Sequence, residues 1–249
     1  MNSICSYGQS LEDDIALWRD LGIDHVALIL PKLEAAGWAE AQALVSDAGL
    51  HVSTIFGPTY RPLDADPALG WRAEDQAGTV QTLEFASEIG AGSVYICTGA
   101  ATTMTWDQAA DAFCEFLAPS VALADSLGVP LLLEPTNPMR IDVSFVFWQR
   151  DAMDLARQAG TKVMLDFQSS WYERDLRGVV RDNIDLIHMR SRLRRIGARY
   201  PSASTTGPRI SSSNTPSYPA STSNASSCST GMSPSPTATR LPVSKVPSL

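Results

Sequence analysis

The sequence predicts an α/β fold in which a parallel sheet forms most of a (β/α)₈ TIM barrel. Short apolar runs alternate with amphipathic segments at spacings of roughly 25–40 residues. Most of these runs are nearly continuous, which is typical of parallel strands buried on both faces. The first turn, SYGQSLEDD, has one glycine and early acids, whereas a doubly wound sheet should offer a glycine-rich phosphate loop. The barrel is therefore favoured, with the doubly wound sheet as the alternative.

About seven strands and six helices are predicted, so the barrel is expected to be incomplete. The strand candidates, the first of them weak, are residues 3–6, 26–30, 52–56, 94–97, 131–133, 163–165 and 184–189. Helix boundaries carry their own signals. Ser10 and Asp13 form a capping box ahead of the first helix, and Thr105 precedes a long helix that should stop at Gly128. A further helix should end at Gly160, and residues 33–50 are predicted as one helix.

Composition limits the function classes. The 249 residues are close to the ~250 of a typical (β/α)₈ barrel. The net charge of −8 argues against a nucleic-acid or membrane-surface partner. The start of the chain lacks the features of a signal peptide, no transmembrane run is present, and four cysteines form no C-x-x-C pair. We therefore expect a cytoplasmic protein with a small-molecule substrate, and the oligomeric state is not indicated.

The composition changes abruptly after Met189. Residues 1–189 contain all 27 acidic residues and 11 of the 19 basic ones, whereas residues 190–249 contain eight basic residues and no acid. That tail has 31 Ser, Thr and Pro among its 60 residues. Such a segment cannot bury enough apolar surface to offset chain entropy, so disorder is expected. The predicted organisation is a barrel over residues 1–189, truncated after its seventh strand, followed by a low-complexity tail over residues 190–249.

Three interpretations of this tail remain open. It is a natural Ser/Pro-rich appendage, or a basic arm built on RSRLRRIGAR, or an out-of-frame translation of a gene whose proper frame continues the barrel. The frameshift hypothesis is favoured because the change falls inside an apparent strand, without a linker. Sequencing of the gene region tests it, and an undisturbed frame with no barrel sequence in the neighbouring frames argues against it.

Acidic and imidazole side chains follow three successive predicted strands. Glu134 ends LLLE, Asp166 ends VMLD, and His188 lies near the end of IDLIHM. Catalytic groups of such barrels lie where strands end, and oxygen and nitrogen donors without thiolate suit Mn²⁺, Mg²⁺ or Co²⁺. Taken singly, each residue is equally explained as a solvated strand end, a helix cap or a core histidine. Their occurrence on three consecutive units favours a divalent-metal site.

The segments GVPLLLEPTNPMRIDVSFVF, KVMLDFQSSWYERDL and DNIDLIHM, supported by SLEDDIALWRDLGIDHVAL, resemble the sugar phosphate isomerase/epimerase family of the xylose isomerase-like TIM barrel superfamily. The resemblance covers roughly three quarters of the chain and implies that Glu134, Asp166 and His188 bind one divalent metal. It further implies that Glu134 transfers a proton in a sugar or hydroxy-keto acid through a metal-stabilised enediolate. The candidates for orienting the substrate are then Arg140, Asn137 and Thr136. The candidates for lining its pocket are Trp171 and Tyr172.

The sequence departs from that family in two places. Many members have Asp-x-x-His after the sixth strand, where this chain has Ser169. The second catalytic Glu, at the end of an eighth strand, has no counterpart, and Ser191 stands where an acidic residue is expected. These departures leave open whether this chain keeps the activity or has lost it. The alternatives are an inactive truncated barrel or binding protein, and another metal-dependent barrel enzyme such as a dehydratase or an endonuclease IV-like phosphodiesterase, which three histidines disfavour.

Overall fold

A computed structural model describes residues 1–188, which form five parallel strands and eight α-helices. The strands are β1 (His25–Ile29), β2 (His51–Thr59), β3 (Val94–Cys97), β4 (Leu131–Leu133) and β5 (Lys162–Val163). They form one sheet in the order β1-β2-β3-β4-β5, so every neighbour in space is also the next strand along the chain. This order is what a barrel requires, and the predicted α/β fold with a parallel sheet is confirmed.

Single backbone bridges extend the sheet beyond both outer strands. Asn2 pairs with Ala27 beside β1, and Ile187 pairs with Val163 beside β5, both in parallel. The strand predicted at residues 3–6 is therefore wrong, and the strand predicted at 184–189 is, within the described residues, only the bridge at Ile187. Ser3–Ser6 is a 3₁₀ helix because the Asn2 side chain accepts a hydrogen bond from the Ile4 amide and turns the chain. Residues 183–186 form turns before the bridge at Ile187.

Two helices begin at the capping residues that the sequence predicts, and two end at the predicted glycines. The helices are α1 (Leu11–Asp20), α2 (Leu30–Ala36), α3 (Trp38–Asp47), α4 (Trp71–Glu88), α5 (Trp106–Leu127), α6 (Gln149–Ala159), α7 (Phe167–Ser170) and α8 (Leu176–Asp182). The Ser10 side chain caps α1 and Thr105 caps α5, each in a reciprocal capping box. Gly128 and Gly160 end α5 and α6 in left-handed conformation, as expected for glycine after a helix.

One predicted helix is two. Residues 33–50 divide into α2 and α3 at Gly37, whose φ of 84° and ψ of 137° no helix can contain. The Gly37 amide donates to the carbonyls of Leu33 and Glu34 and closes α2, while its own carbonyl accepts from Ala41 and opens α3. The hydrophobic period continues across this break, so the pattern alone does not reveal it.

The core lies between the sheet and its helices. Ile55, Ile96 and Leu133 are buried in the strands, and Trp18 and Phe113 are buried on the helices that cover them. No helix within residues 1–188 is long and apolar enough to cross a membrane. The tail predicted for residues 190–249, its expected disorder and its proposed frameshift origin lie outside the described residues, as does Met189.

Candidate active site

Glu134 lies immediately after β4, at its carboxyl end. Its amide donates to the carbonyl of Ile96 on β3 at 2.9 Å. The backbone of Glu134 is therefore still hydrogen-bonded to the neighbouring strand. The preceding residue, Leu133, is fully buried in the core, whereas Glu134 itself is partly exposed. The carboxylate is thereby held at the rim of an apolar strand, which is the position of catalytic groups in barrels.

Asp166 follows β5 and caps the short helix α7. Its side chain accepts a hydrogen bond from the Gln168 amide at 2.9 Å and another from the Ser169 hydroxyl at 2.6 Å. Ser169 occupies the position where a substrate-binding His was expected from the resemblance, and here it orients the Asp166 carboxylate instead. The site therefore keeps the acidic residue in a fixed orientation.

The two carboxylates interact electrostatically. Burial raises the pKa of Glu134 to about 7, and the negative charge of Asp166 raises it further, against a smaller opposing effect of a hydrogen bond from Cys97. Burial disfavours the charged form of a carboxyl group, and a neighbouring like charge does the same. Glu134 is therefore placed to take up and release a proton near neutral pH.

Cys97 and Tyr95 belong to the same cluster and were missed by the sequence analysis. The Cys97 thiol donates to Glu134 Oε2 at 3.8 Å, and burial together with Glu134 raises the pKa of the thiol above its usual range. Burial and the charge of Glu134 also raise the pKa of the Tyr95 phenol. The sequence did contain a signal for Cys97, because this residue ends the apolar strand VYIC just as Glu134 follows the apolar strand LLL. Ile96 pairs in register with Leu133, so Cys97 and Glu134 are neighbours across the two strands.

His188 lies beside β5, where its amide donates to the Val163 carbonyl at 3.2 Å. It is the last residue described, and its side chain is partly buried. Within residues 1–188, no three His, Cys, Asp or Glu side chains converge closely enough to hold a metal ion. The structure thus brings Glu134 and Asp166 together, and the predicted ligand set with His188 stays a prediction.

The chemistry of the acidic pair fits a divalent cation. Two carboxylates at neighbouring strand ends supply hard oxygen donors, the ligand type suited to Mg²⁺ and Mn²⁺. The repulsion that raises the pKa of Glu134 is the kind of interaction that a bound cation relieves. Cys97 does not alter this preference, because its raised pKa keeps the thiol protonated.

The loop after Glu134 carries Asn137 and Arg140. The Asn137 side-chain oxygen accepts from the Met139 amide at 2.9 Å, so it is engaged in a turn. Arg140 is exposed and forms a two-pronged ion pair with Asp142 at 2.9 and 3.0 Å. Its positive charge opposes, without outweighing, the rise in the pKa of Cys97 that burial and Glu134 cause.

A buried hydroxyl pair holds this loop against β3. Thr98 Oγ1 lies 2.9 Å from Ser144 Oγ and accepts from the Phe145 amide at 3.1 Å. The amide of Thr136 donates to the Val146 carbonyl. The loop is therefore anchored at both ends.

The remaining predicted pocket residues differ in exposure. Trp171 is 75% exposed and packs edge-to-face on Tyr172, with ring centroids 5.7 Å apart. Buried hydroxyl oxygens of Thr136 and Tyr172 form no hydrogen bond with any part of the chain that the structure describes. Such groups usually have a partner, so both are candidates to bind a substrate hydroxyl.

Comparison with solved structures supports the fold. The chain is similar to the 3-keto-D-glucoside 4-epimerase YcjR from E. coli, with 19% identity and a TM-score of 0.60 over 72% of each chain. It is equally similar to an AP endonuclease of family 2 from Brucella melitensis, with 15% identity and a TM-score of 0.60 over 72% of each chain. A D-psicose 3-epimerase from Clostridium cellulolyticum H10, solved with D-tagatose, shares 16% identity and a TM-score of 0.58 over 72% of this chain and 66% of that one.

These similarities extend over part of each relative, since the chain spans 66–72% of their lengths. At such identities they establish the fold alone. No curated protein matches the chain significantly. A family model described as xylose isomerase-like TIM barrel matches residues 15–205, which is most of the chain, and the protein therefore belongs to the xylose isomerase-like TIM barrel family.

Proposed function

We propose that this chain is a divalent-metal-dependent isomerase or epimerase of sugars or hydroxy-keto acids, with Glu134 as its proton-transferring residue. The observation that carries the proposal is the pairing of Glu134 with Asp166 at neighbouring strand ends of a xylose isomerase-like barrel. Solved structures of similar fold include sugar epimerases, which supports the substrate class.

Glu134 has the properties of a general base. A group of this kind works best when its pKa is close to the operating pH, and the pKa of Glu134 is raised to about 7. It would take the proton from the carbon next to the substrate carbonyl. The electron pair of the broken C–H bond then moves to the carbonyl oxygen and leaves an enediolate, and return of the proton completes the exchange.

Glu134, Asp166 and His188 would hold the cation. When bound, it would supply positive charge that stabilises the developing oxyanion and so acidifies the substrate C–H bond. The Ser169 hydroxyl donates to the Asp166 carboxylate and holds it in one orientation. The buried Thr136 hydroxyl, the partly buried Asn137 and the exposed Arg140 and Trp171 would contact substrate oxygens and the open side of the pocket.

Deuterium exchange tests the proposal directly. The full chain with Mn²⁺ should transfer deuterium from D₂O into the carbon beside the carbonyl of D-fructose or hydroxypyruvate, as measured by NMR. Glu134→Gln should slow this exchange by roughly 10²–10⁴-fold, the usual contribution of a general base. Glu115→Gln is the matched control, because Glu115 is exposed on α5. Exchange that is equal in Glu134→Gln and the unsubstituted chain would rule out this role.

A second candidate is a barrel that keeps the fold without the reaction. It is favoured because, within residues 1–188, no three His, Cys, Asp or Glu side chains are arranged so that they could hold a metal ion. A chain of this kind would show neither exchange nor stabilisation by Mn²⁺, so the same samples distinguish the two.

A further inference from the structure

A cavity of about 370 Å³ is lined by residues near the carboxyl ends of β1 and β2 and by residues that follow these strands. Ile29 of β1 and Phe56 of β2 line it, and the segment after the first 3₁₀ helix contributes Tyr7. Residues of α4, including Gly78, close the other side. The cavity thus lies on the same edge of the sheet as Glu134, but on different strands.

Two stacked aromatic rings join the cavity to the active site. Phe56 stacks on Tyr95 with ring centroids 4.8 Å apart and planes 13° from parallel. Tyr95 pairs in register with Phe56 of β2 and with Leu132 of β4, two residues before Glu134. Because side chains alternate along a strand, Tyr95 lies on the same face of the sheet as Phe56 and Glu134. The stacked rings therefore lie on that face between the strand that lines the cavity and the strand that ends before Glu134.

The polar groups of the cavity are held in place before any ligand binds. Arg61 binds Asp75 through Nε at 2.9 Å and Glu74 through NH1 at 2.7 Å, and its guanidinium lies over the Trp71 ring. Asp75 also accepts from the Arg61 amide at 2.9 Å. The Arg61 guanidinium and the two carboxylates that it contacts are therefore already fixed in position. Such an arrangement suits a ligand with several hydroxyl groups, because little side-chain conformational freedom is lost when the ligand binds.

The charge of the cavity indicates a neutral ligand. Three carboxylates, those of Glu34, Glu74 and Asp75, line it against the single guanidinium of Arg61. A phosphate or carboxylate group would meet net repulsion there. A sugar ring would not, since it offers hydroxyls to the charged groups and C–H surface to Tyr7 and Phe56.

We propose that this cavity binds a second sugar ring, so that the substrate is a glycoside or disaccharide whose reacting unit lies at Glu134. The proposal rests on the proposed function, because it places the reacting unit at the acidic pair. β2 and β4 are two strands apart, which corresponds to roughly 10 Å along the sheet edge. Two linked sugar rings span such a distance, whereas one ring does not.

Gly78 provides a substitution that fills the cavity without strain. A Cβ there would meet the Pro58 side chain at 3.5 Å, an ordinary contact, and a longer side chain would extend into the cavity. Gly78 lies inside α4, where replacement of glycine favours the helix. Gly78→Leu should therefore fold and block the cavity, and Gly78→Ala is the matched control that adds only the Cβ.

The test measures binding of isomaltulose, a glucose ring joined to the far end of fructose, and of D-fructose to the full chain with Mn²⁺ by calorimetry. Isomaltulose should bind about tenfold more tightly than D-fructose, Gly78→Leu should reduce the preference to within about twofold, and Gly78→Ala should retain it. Deuterium exchange is followed in the same samples.

Each outcome decides one of the two proposals separately. Exchange into D-fructose without a preference for isomaltulose in the unsubstituted chain overturns the second-ring site and leaves the proposed function standing. A preference that survives Gly78→Leu overturns the assignment to this cavity. A preference that Gly78→Leu removes, in a chain without exchange, supports the cavity and contradicts the proposed reaction.

Discussion

The Cys97 thiol donates a hydrogen bond to Glu134 Oε2 over 3.8 Å, from the end of the strand that pairs with β4. The hydrogen bond acts to lower the pKa of Glu134, but burial and Asp166 outweigh it. The acidic pair is therefore destabilised in its doubly charged form, and both cation binding and protonation are expected to relieve it.

Cation binding should stabilise the folded chain. Addition of Mn²⁺ or Mg²⁺ to the chelator-treated full chain should raise the melting temperature, and a concentration of about 100 times the Kd corresponds to about 2.7 kcal/mol. Glu134→Ala and Asp166→Ala should remove the gain, whereas Glu115→Gln should keep it. An unchanged melting temperature in the unsubstituted chain would contradict the metal-site prediction.

The pH dependence of stability follows from the raised pKa of Glu134. The folded chain retains the Glu134 proton up to about pH 7, whereas the unfolded chain releases it near the ordinary glutamate pKa of 4.5. This contribution to stability is therefore fully present below the unfolded pKa and is lost as the pH rises toward 7. It amounts to about 3 kcal/mol, because each pKa unit corresponds to about 1.4 kcal/mol.

Urea unfolding of the metal-free chain at about pH 5 and about pH 8 measures this effect. The unfolding free energy of Glu134→Gln should change less between these two pH values than that of the unsubstituted chain, because the glutamine amide has no titrating proton. The difference between the two proteins isolates Glu134 from the other acidic groups. Identical pH slopes would show that the pKa of Glu134 is not raised on folding.

A buried ion pair between Lys32 and Asp14 should make a large contribution to stability. Lys32 Nζ lies 2.5 Å from Asp14 Oδ2 and donates to the Ser6 carbonyl at 2.8 Å, and both charged side chains are almost fully buried. Lys32→Met leaves the buried Asp14 carboxylate without its cationic partner, although the Ser6 hydroxyl still donates to it. The loss of the buried charge pair should cost about 3–5 kcal/mol in urea unfolding.

The double variant Lys32→Met with Asp14→Leu is the control. Because it removes both charges, it should recover much of the stability that Lys32→Met loses. A loss in the double variant equal to the sum of the two single losses would show that the side chains do not act as a pair.

Asp64 should fix the loop after β2 against the loop after β3. Its Oδ2 accepts from the amides of Thr102 and Thr103 at 2.8 and 2.7 Å and from both hydroxyls. These bonds lower the pKa of Asp64 to about 2. Their contribution to stability is therefore present above the ordinary aspartate pKa of 3.8 and is lost as the pH falls through about 2.

Asp64→Ala should therefore reduce the unfolding free energy by roughly 1 kcal/mol at neutral pH, a value discounted for solvent screening at this partly exposed site. Thermal melts at about pH 7 and about pH 2 measure it, and the two proteins should converge at the lower pH. Asp66→Ala is the comparison, because Asp66 lies in the same loop and accepts only from the Ala68 amide. If Asp64→Ala and the unsubstituted chain differed in melting temperature as much at about pH 2 as at about pH 7, this interpretation of Asp64 would be contradicted.

The sequence by itself determined the parallel α/β fold, the capped helix ends and the position of Glu134 and Asp166 at successive strand ends. These features follow from local properties, namely apolar runs, capping residues and the glycines after helices. The break at Gly37 and the 3₁₀ helix at Ser3–Ser6 were not predictable in this way, because both leave the hydrophobic pattern intact.

Only the tertiary structure decided which side chains act on one another. The pKa of Glu134 depends on burial by residues distant in the chain and on the charge of Asp166, and Cys97 joins the site because β3 lies beside β4. The cavity beside Phe56 also exists only after β1, β2 and α4 have packed together. Sequence sets where each strand ends, whereas electrostatic interaction and enclosed volume depend on distances that arise from folding.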